Sequence, residues 1–162
     1  MAGGPIFPYS AYPVTASNTF PNVHVGAGAN AKQTAGLGVA ASIGSDSIWR
    51  LHFRMPPSAL PSGTGKLDLW ALANATSGNA KINAKWASVA VEEAPDTATL
   101  QAEGTSTLSW STGDNDQFKQ VKITLDADTL VAGEDVVMDL TFETSSWTLA
   151  VISTWIPSII FE

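Results

Sequence analysis

The fold is decided by the stretch Ile48-Trp-Arg-Leu-His-Phe-Arg-Met55. Apolar side chains fill its odd-numbered positions, and Arg50, His52 and Arg54 stand between them. Successive side chains of a strand point to opposite faces, so this period of two predicts a half-buried β-strand. Pro56-Pro57 ends the strand, because proline lacks a backbone donor and biases the preceding residue away from helix.

Further strand-like runs follow along the chain, separated by clusters of Gly, Pro, Ser and Asp. The run Ile82 to Val91 changes phase, and we expect a β-bulge at Ala87-Ser88 to absorb the extra residue. Counting all runs gives about eight strands, which predicts an all-β fold, a single jelly roll or β-sandwich of antiparallel strands. After the first, the predicted strands lie at 67–73, 82–91, 105–110, 121–125, 136–142, 147–156 and 159–161.

Residues 1–44 differ in composition from the sandwich predicted for residues 45–162, because prolines and aromatic residues alternate near the N-terminus. Prolines fix φ and remove donors, so this segment is predicted to be an extended N-terminal arm. Ordering its backbone costs about 1–2 kcal/mol per residue, more than its few apolar side chains return on burial. The arm is therefore expected to dock in a groove, on a neighbouring subunit or on its own domain. Its predicted anchors are Ile6, Phe7, Tyr9, Tyr12 and Phe20.

The charge is unevenly distributed along the chain. Residues up to Ala90 include six basic and two acidic side chains, whereas the residues from Val91 onward include two basic and thirteen acidic ones. A sandwich that mixes the two halves would let neighbouring strands neutralise one another. The alternative is that subunits or partners meet through complementary surfaces. The basic face is too modest to indicate nucleic acid, and no apolar run is long enough to indicate a membrane span.

Composition offers little support for catalysis or metal binding. The chain has no cysteine, two scattered histidines and no Gly-x-Ser-x-Gly sequence. The acidic loops around Asp114 and Asp126 do not match the EF-hand pattern and are interpreted as solvated. We therefore assign no catalytic, cofactor-binding or metal-binding residue and predict that the protein is not an enzyme.

Six tryptophans in a small β-domain suggest carbohydrate binding, because flat aromatic rings stack on sugars. Most of them share the parity of the apolar positions in their strands and are predicted to be core residues: Trp49, Trp86, Trp110 and Trp147. Trp70 has the opposite parity to Leu67 and Leu69 and is the candidate glycan contact. Trp155 and Phe161 are the candidate subunit contacts.

The middle of the chain resembles a known class of virion protein. The matching features are Phe53-Arg54-Met55-Pro56-Pro57, the turn within Leu72 to Ala80, Val121-Lys122-Ile123-Thr124-Leu125, and Ala132-Gly133-Glu134-Asp135 before a strand. From Ile48 to Phe142 this pattern resembles single jelly-roll virion domains of tailed bacteriophages, of the capsid decoration (cement) or head-fibre type. The resemblance implies a homotrimer on the capsid exterior whose partner is the major capsid protein, and it brings no catalytic residues.

Two functional hypotheses follow from these observations. The first is a structural decoration protein that stabilises the capsid through its arm and its oligomer contacts. The alternative is a carbohydrate-binding module or a receptor-binding fibre or spike head. An exposed Trp70 beside a polar groove would favour the alternative, and an arm wrapped on other subunits would favour the first.

Overall fold

The computed structural model describes residues 3–14, 22–25, 35–40, 47–73, 78–90, 92–94, 99–111, 118–126, 129–143, 151–154 and 157–162. These residues form eleven β-strands, and none of them lies in an α-helix. The strands are β1 (Ser10–Pro13), β2 (Asn22–Val25), β3 (Ala35–Ala40), β4 (Ser47–Arg54), β5 (Gly65–Ala73), β6 (Gly78–Val89), β7 (Ala102–Trp110), β8 (Phe118–Thr124), β9 (Asp135–Glu143), β10 (Val151–Thr154) and β11 (Ser158–Phe161).

The strands form two antiparallel sheets. One has five strands in the order β1-β4-β9-β6-β7, and the other has six, in the order β11-β5-β10-β3-β2 with β8 paired to β5. Strands β4 to β11 are the eight that fall in residues 45–162. The predicted all-β sandwich is therefore confirmed.

The core lies between the sheets and follows from the period of two. In β4 the side chains of Trp49, Leu51 and Phe53 are buried. Leu51 pairs with Met138 of β9, which pairs in turn with Trp86 of β6. Leu67 and Leu69 of β5 enter the same cluster from the other sheet. Each fully buried side chain of this kind contributes about 1.5–3 kcal/mol through its removal from water.

The predicted β-bulge at Ala87-Ser88 is wrong. The pairing of β6 with β9 runs without interruption to Val89, which pairs with Asp135. Val89 and Val137 are buried on one face of the sheet, while Trp86 and Val136 are buried on the other. The apolar positions change parity in the sequence because this end of the sheet is buried on both faces, and β6 contains no extra residue.

The N-terminal segment docks on its own chain and reaches both sheets. Ile6 and Ile159 exchange two backbone hydrogen bonds of 2.8 and 2.9 Å beside β11, after which β1 pairs with β4. Strands β2 and β3 belong to the six-stranded sheet. These hydrogen bonds satisfy backbone groups of the segment, which has the extended conformation that its prolines predict. Phe20 lies outside the described residues.

Ion pairs join the basic half of the chain to the acidic half. Arg50 binds Asp139 at 2.7 Å, and the contact between Lys85 and Glu103 is 3.7 Å long. The antiparallel pairing of β4 with β9 and of β6 with β7 places these opposite charges on neighbouring strands. Neutralisation between neighbouring strands is thus confirmed for these pairs. Complementary surfaces between subunits stay a prediction.

Gly104 of β7 lies against β8, where an edge of one sheet approaches the other sheet. A Cβ atom at this position would lie 2.6 Å from Ile123 Cγ2 of β8 and 3.2 Å from the Thr124 carbonyl oxygen. A Cβ atom does not lie 2.6 Å from another carbon in real proteins. The strands β7 and β8 can therefore pack together as they do only because residue 104 has no side chain.

We predict that Gly104→Ala destabilises the protein by about 1–3 kcal/mol, because the added methyl group forces the two strands apart. Denaturant unfolding measures this change. Gly4→Ala is the matched control, since a Cβ at Gly4 meets nothing within 4 Å. Equal stability of the two variants would contradict the proposed close approach.

Candidate functional site

Trp70 projects from the outer face of the six-stranded sheet. In β5 the odd-numbered Leu67 and Leu69 are buried in the core, which leaves Asp68 and Trp70 on the other face. Trp70 is exposed, and its register partner on β8 is Gln120. The parity argument for Trp70 is thus confirmed, as are the buried positions of Trp49 and Trp86.

Asp68 organises the polar groups around this ring. One of its carboxylate oxygens accepts the indole N–H of Trp70 at 3.3 Å, and the other accepts the side-chain amide of Gln120 at 2.7 Å. These bonds fix the polar edge of the indole, while the ring stays open to solvent. Trp70, Asp68 and Gln120 are called the Trp70 surface from here on.

A cluster of three charged side chains lies further along the same sheet. The Glu162 carboxylate accepts hydrogen bonds from Lys122 Nζ at 2.6 Å and from Lys66 Nζ at 2.9 Å. The two ammonium groups hold the pKa of the Glu162 carboxyl below its usual range, and the bond to Glu162 raises the pKa of Lys122. Lys122 also pairs in register with Asp68, which connects this group to the Trp70 surface.

The outer side of the five-stranded sheet carries a cluster of aromatic rings. The Tyr12 ring stacks on His52 with a centroid distance of 5.7 Å, and the Tyr9 ring lies 5.9 Å from the same imidazole at a tilt of 52°. The Tyr9 hydroxyl donates to Asp135 at 3.2 Å, and Tyr12 Oη lies 3.3 Å from His52 Nε2. Burial and the Asp135 carboxylate raise the pKa of Tyr9. Tyr9, Tyr12 and His52 are called the tyrosine surface.

A row of alternating charges crosses the sheet beside the tyrosine surface. In register, Tyr12 pairs with Arg50, Arg50 with Asp139, Asp139 with Lys85, and Lys85 with Glu103. Arg50 and Asp139 form a two-pronged pair with bonds of 2.7 and 2.8 Å, and the hydrogen bond to Asp139 raises the pKa of Arg50. Paired charges of this kind hold donors and acceptors in fixed positions.

A cleft lies at another place on the molecule. It has a volume of about 430 Å³, opens beside Trp86, and is lined in part by Glu103 and Asp126. Trp86 is almost fully buried, and its indole N–H donates to Thr129 Oγ1 at 2.7 Å. This tryptophan therefore offers no open ring face to a ligand, in contrast to Trp70.

The other predicted contact residues fall in several places. Ile6 packs against the core, and Phe7 is exposed together with Tyr9 and Tyr12. Phe161 is 6% exposed and belongs to the core of its own chain, so its burial does not favour the predicted subunit contact. Trp155 lies outside the described residues. Contacts of the arm and of these side chains with another subunit stay predictions.

Sequence reasoning missed the partners of these aromatic rings. Parity alone finds the outward position of Trp70, but Asp68 and Gln120 are joined only through the register of β5 with β8. Within the described part of the chain, no three His, Asp or Glu side chains gather closely enough to hold a metal ion. The same residues contain no helix that could span a membrane.

Comparison with known proteins finds similarity only at the level of structure. No protein-family model matches the chain, and no curated protein matches it. Two similar solved structures are the family 11 carbohydrate-binding module of a Clostridium thermocellum cellulosomal cellulase and a family 30 carbohydrate-binding module, each with a TM-score of 0.53 and 10% identity. The alignments cover 100% of this chain in both cases, and 97% and 86% of the respective modules.

A third similar structure is an arabinose-bound α-L-arabinofuranosidase, with a TM-score of 0.53 and 10% identity. The match covers 98% of this chain but only 24% of the enzyme. At this identity, the three structures establish the β-sandwich fold that the chain shares with them.

We predict that His52 makes stability fall at mildly acidic pH. Burial, followed by the charge of Arg50, lowers the pKa of His52, whereas Asp135 and Asp139 oppose the shift. The unfolded chain therefore binds a proton more readily, and stability declines as pH drops below about 6.5 and through the lower folded-state pKa. Unfolding at several pH values should show a shallower decline for His52→Gln than for the wild type. Parallel curves would contradict this prediction, and His24 is the same in both proteins.

Proposed function

We propose that the chain is a non-catalytic carbohydrate-binding module that holds a glycan on the Trp70 surface. The observation that carries this proposal is an exposed indole whose polar edge is fixed by Asp68, beside Gln120, on the outer face of a sheet. An exposed Trp70 beside a polar groove is the feature expected of a carbohydrate-binding module, and this surface supplies the exposed ring and two polar neighbours.

The chemistry of sugars fits this surface. A pyranose or furanose ring has patches of C–H groups that pack on an aromatic face, and hydroxyls at its rim that exchange hydrogen bonds. Asp68 can accept from such hydroxyls, and the amide of Gln120 can both donate and accept. A hydrogen bond to a charged group contributes about 1.5–3 kcal/mol. One ring and two polar side chains therefore predict weak binding, with a Kd between about 1 mM and 1 μM.

The extent of the structural matches supports a binding role over a catalytic one. The chain aligns with nearly the full length of the family 11 module and with most of the family 30 module, but with only a quarter of the arabinofuranosidase. The two modules are described as carbohydrate-binding, and a fold shared end to end makes the same role the simplest proposal for this chain. Fold similarity by itself does not establish function, so the proposal rests on the Trp70 surface.

Capsid decoration is the other hypothesis, and it rests on the sequence resemblance alone. None of the three similar structures is a virion protein. The described part of the arm docks on its own sheets. A homotrimer, a capsid partner and a place on the virion exterior stay predictions.

We predict that Trp70→Ala weakens glycan binding at least tenfold, because the sugar loses its stacking face. A glycan array identifies the ligand, and isothermal titration then measures the affinity. Val131→Ala is the matched control, since Val131 and Trp70 are each 42% exposed. Unchanged binding by Trp70→Ala, or equal losses in both variants, would refute the assignment of this surface.

A further inference from the structure

We infer that the tyrosine surface is a second glycan-binding surface, so that one chain can hold two neutral polysaccharide chains on opposite sides of the sandwich. This inference rests on the proposed function, because both surfaces are assigned the same class of ligand. It adds a separate site built from the N-terminal segment and the five-stranded sheet.

The exposed apolar side chains are concentrated in the segment that carries Tyr9 and Tyr12. Of the six large ones among the described residues, four lie within the short segment 7–14. Tyr9 and Tyr12 are held at their hydroxyl ends by Asp135 and His52, while much of each side chain stays open. Rings fixed in this way lose little conformational freedom when a ligand packs on them, which lowers the cost of binding.

The charges beside the rings favour a neutral ligand. Arg50 is paired with Asp139, Lys85 contacts Glu103, and Arg54 binds Asp135 at 2.7 Å. These three pairs sum to no net charge, so they provide no excess of positive charge for an anionic polymer. They nevertheless offer both donors and acceptors, which the hydroxyl groups of a neutral sugar need.

The size of the surface suits an oligosaccharide. The row from Tyr12 to Glu103 crosses all five strands of its sheet. Four spacings between neighbouring strands make the row about 19 Å long. This length accommodates several linked sugar rings.

The two surfaces are separated by the whole sandwich. Trp70 lies on the outer side of the six-stranded sheet, and Tyr12 lies on the outer side of the five-stranded sheet, with the core between them. A short oligosaccharide on one surface cannot reach the other. Two independent sites on one rigid body can instead bridge neighbouring polymer chains, which strengthens attachment through a high effective concentration.

The test is isothermal titration of the full chain with neutral tetrasaccharides of glucose, galactose, xylose and arabinose, together with tetragalacturonic acid as the anionic comparison. We expect two binding sites on the wild type, one on Trp70→Ala, one on the Tyr9→Ala/Tyr12→Ala double variant, and none when all three residues are changed. Tetragalacturonic acid should bind no more tightly than the neutral sugars. Polysaccharides of the same neutral sugars should be cross-linked, and the solution made turbid, only by proteins that keep both sites.

Two controls separate loss of the rings from loss of structure. Val14→Ala removes a side chain that is 42% exposed, as Tyr12 is, from the end of the same segment, and it should retain both sites. Tyr9→Phe/Tyr12→Phe keeps the rings but loses the contacts of their hydroxyls, so it should retain both sites and bind more weakly at the tyrosine surface. Thermal unfolding shows whether each variant is folded.

The outcomes distinguish the inference from the proposed function. A single wild-type site that is lost in Trp70→Ala and intact in the double tyrosine variant overturns the second surface and leaves the first. A single site with the opposite pattern overturns the Trp70 assignment and supports the tyrosine surface. Binding of none of the sugars by the wild type overturns both, and a clear preference for tetragalacturonic acid overturns the neutral ligand class.

Discussion

The rest of the structure depends on the antiparallel pairing of β4 with β9. Its register places Leu51 opposite Met138 on the inner face and Arg50 opposite Asp139 on the outer face. The apolar pairs form the centre of the core, and the charged pair begins the row that crosses the sheet. A shift of β4 by one residue in this register would turn its core side chains outward and Arg50 inward. Core and outer surface are thus set by one alignment of two strands.

The N-terminal segment depends on the same strand. Pairing of β1 with the free edge of β4 covers an edge that would otherwise be open to other chains, and it brings Tyr12 onto His52. Tyr9 and Tyr12, two of the predicted arm anchors, are thereby displayed on the outside of the molecule's own sheet. The backbone of the segment, together with Ile6, holds it in place, while its rings remain exposed.

Each sheet consequently presents one outer face with a specific chemistry. The six-stranded sheet displays an indole tied to a carboxylate, and the five-stranded sheet displays two phenol rings beside paired charges. In both cases hydrogen bonds or ion pairs fix the polar groups before any ligand arrives. Such preorganisation is what lets a shallow surface bind a flexible polar ligand. The proposed role as a carbohydrate-binding module follows from these fixed groups rather than from the fold that carries them.

By itself, the sequence determined the all-β class, the buried faces of β4 and β5, and the outward position of Trp70, because side-chain alternation is a local property of a strand. It could not determine that Gln120 joins Asp68, that Tyr12 stacks on His52, or that β6 runs past Ala87 without a bulge. Those features depend on which strands are neighbours and in what register, and residues far apart in the chain meet only after the sheets have formed. The sequence therefore decided which side chains face outward, and the tertiary structure decided which of them stand together.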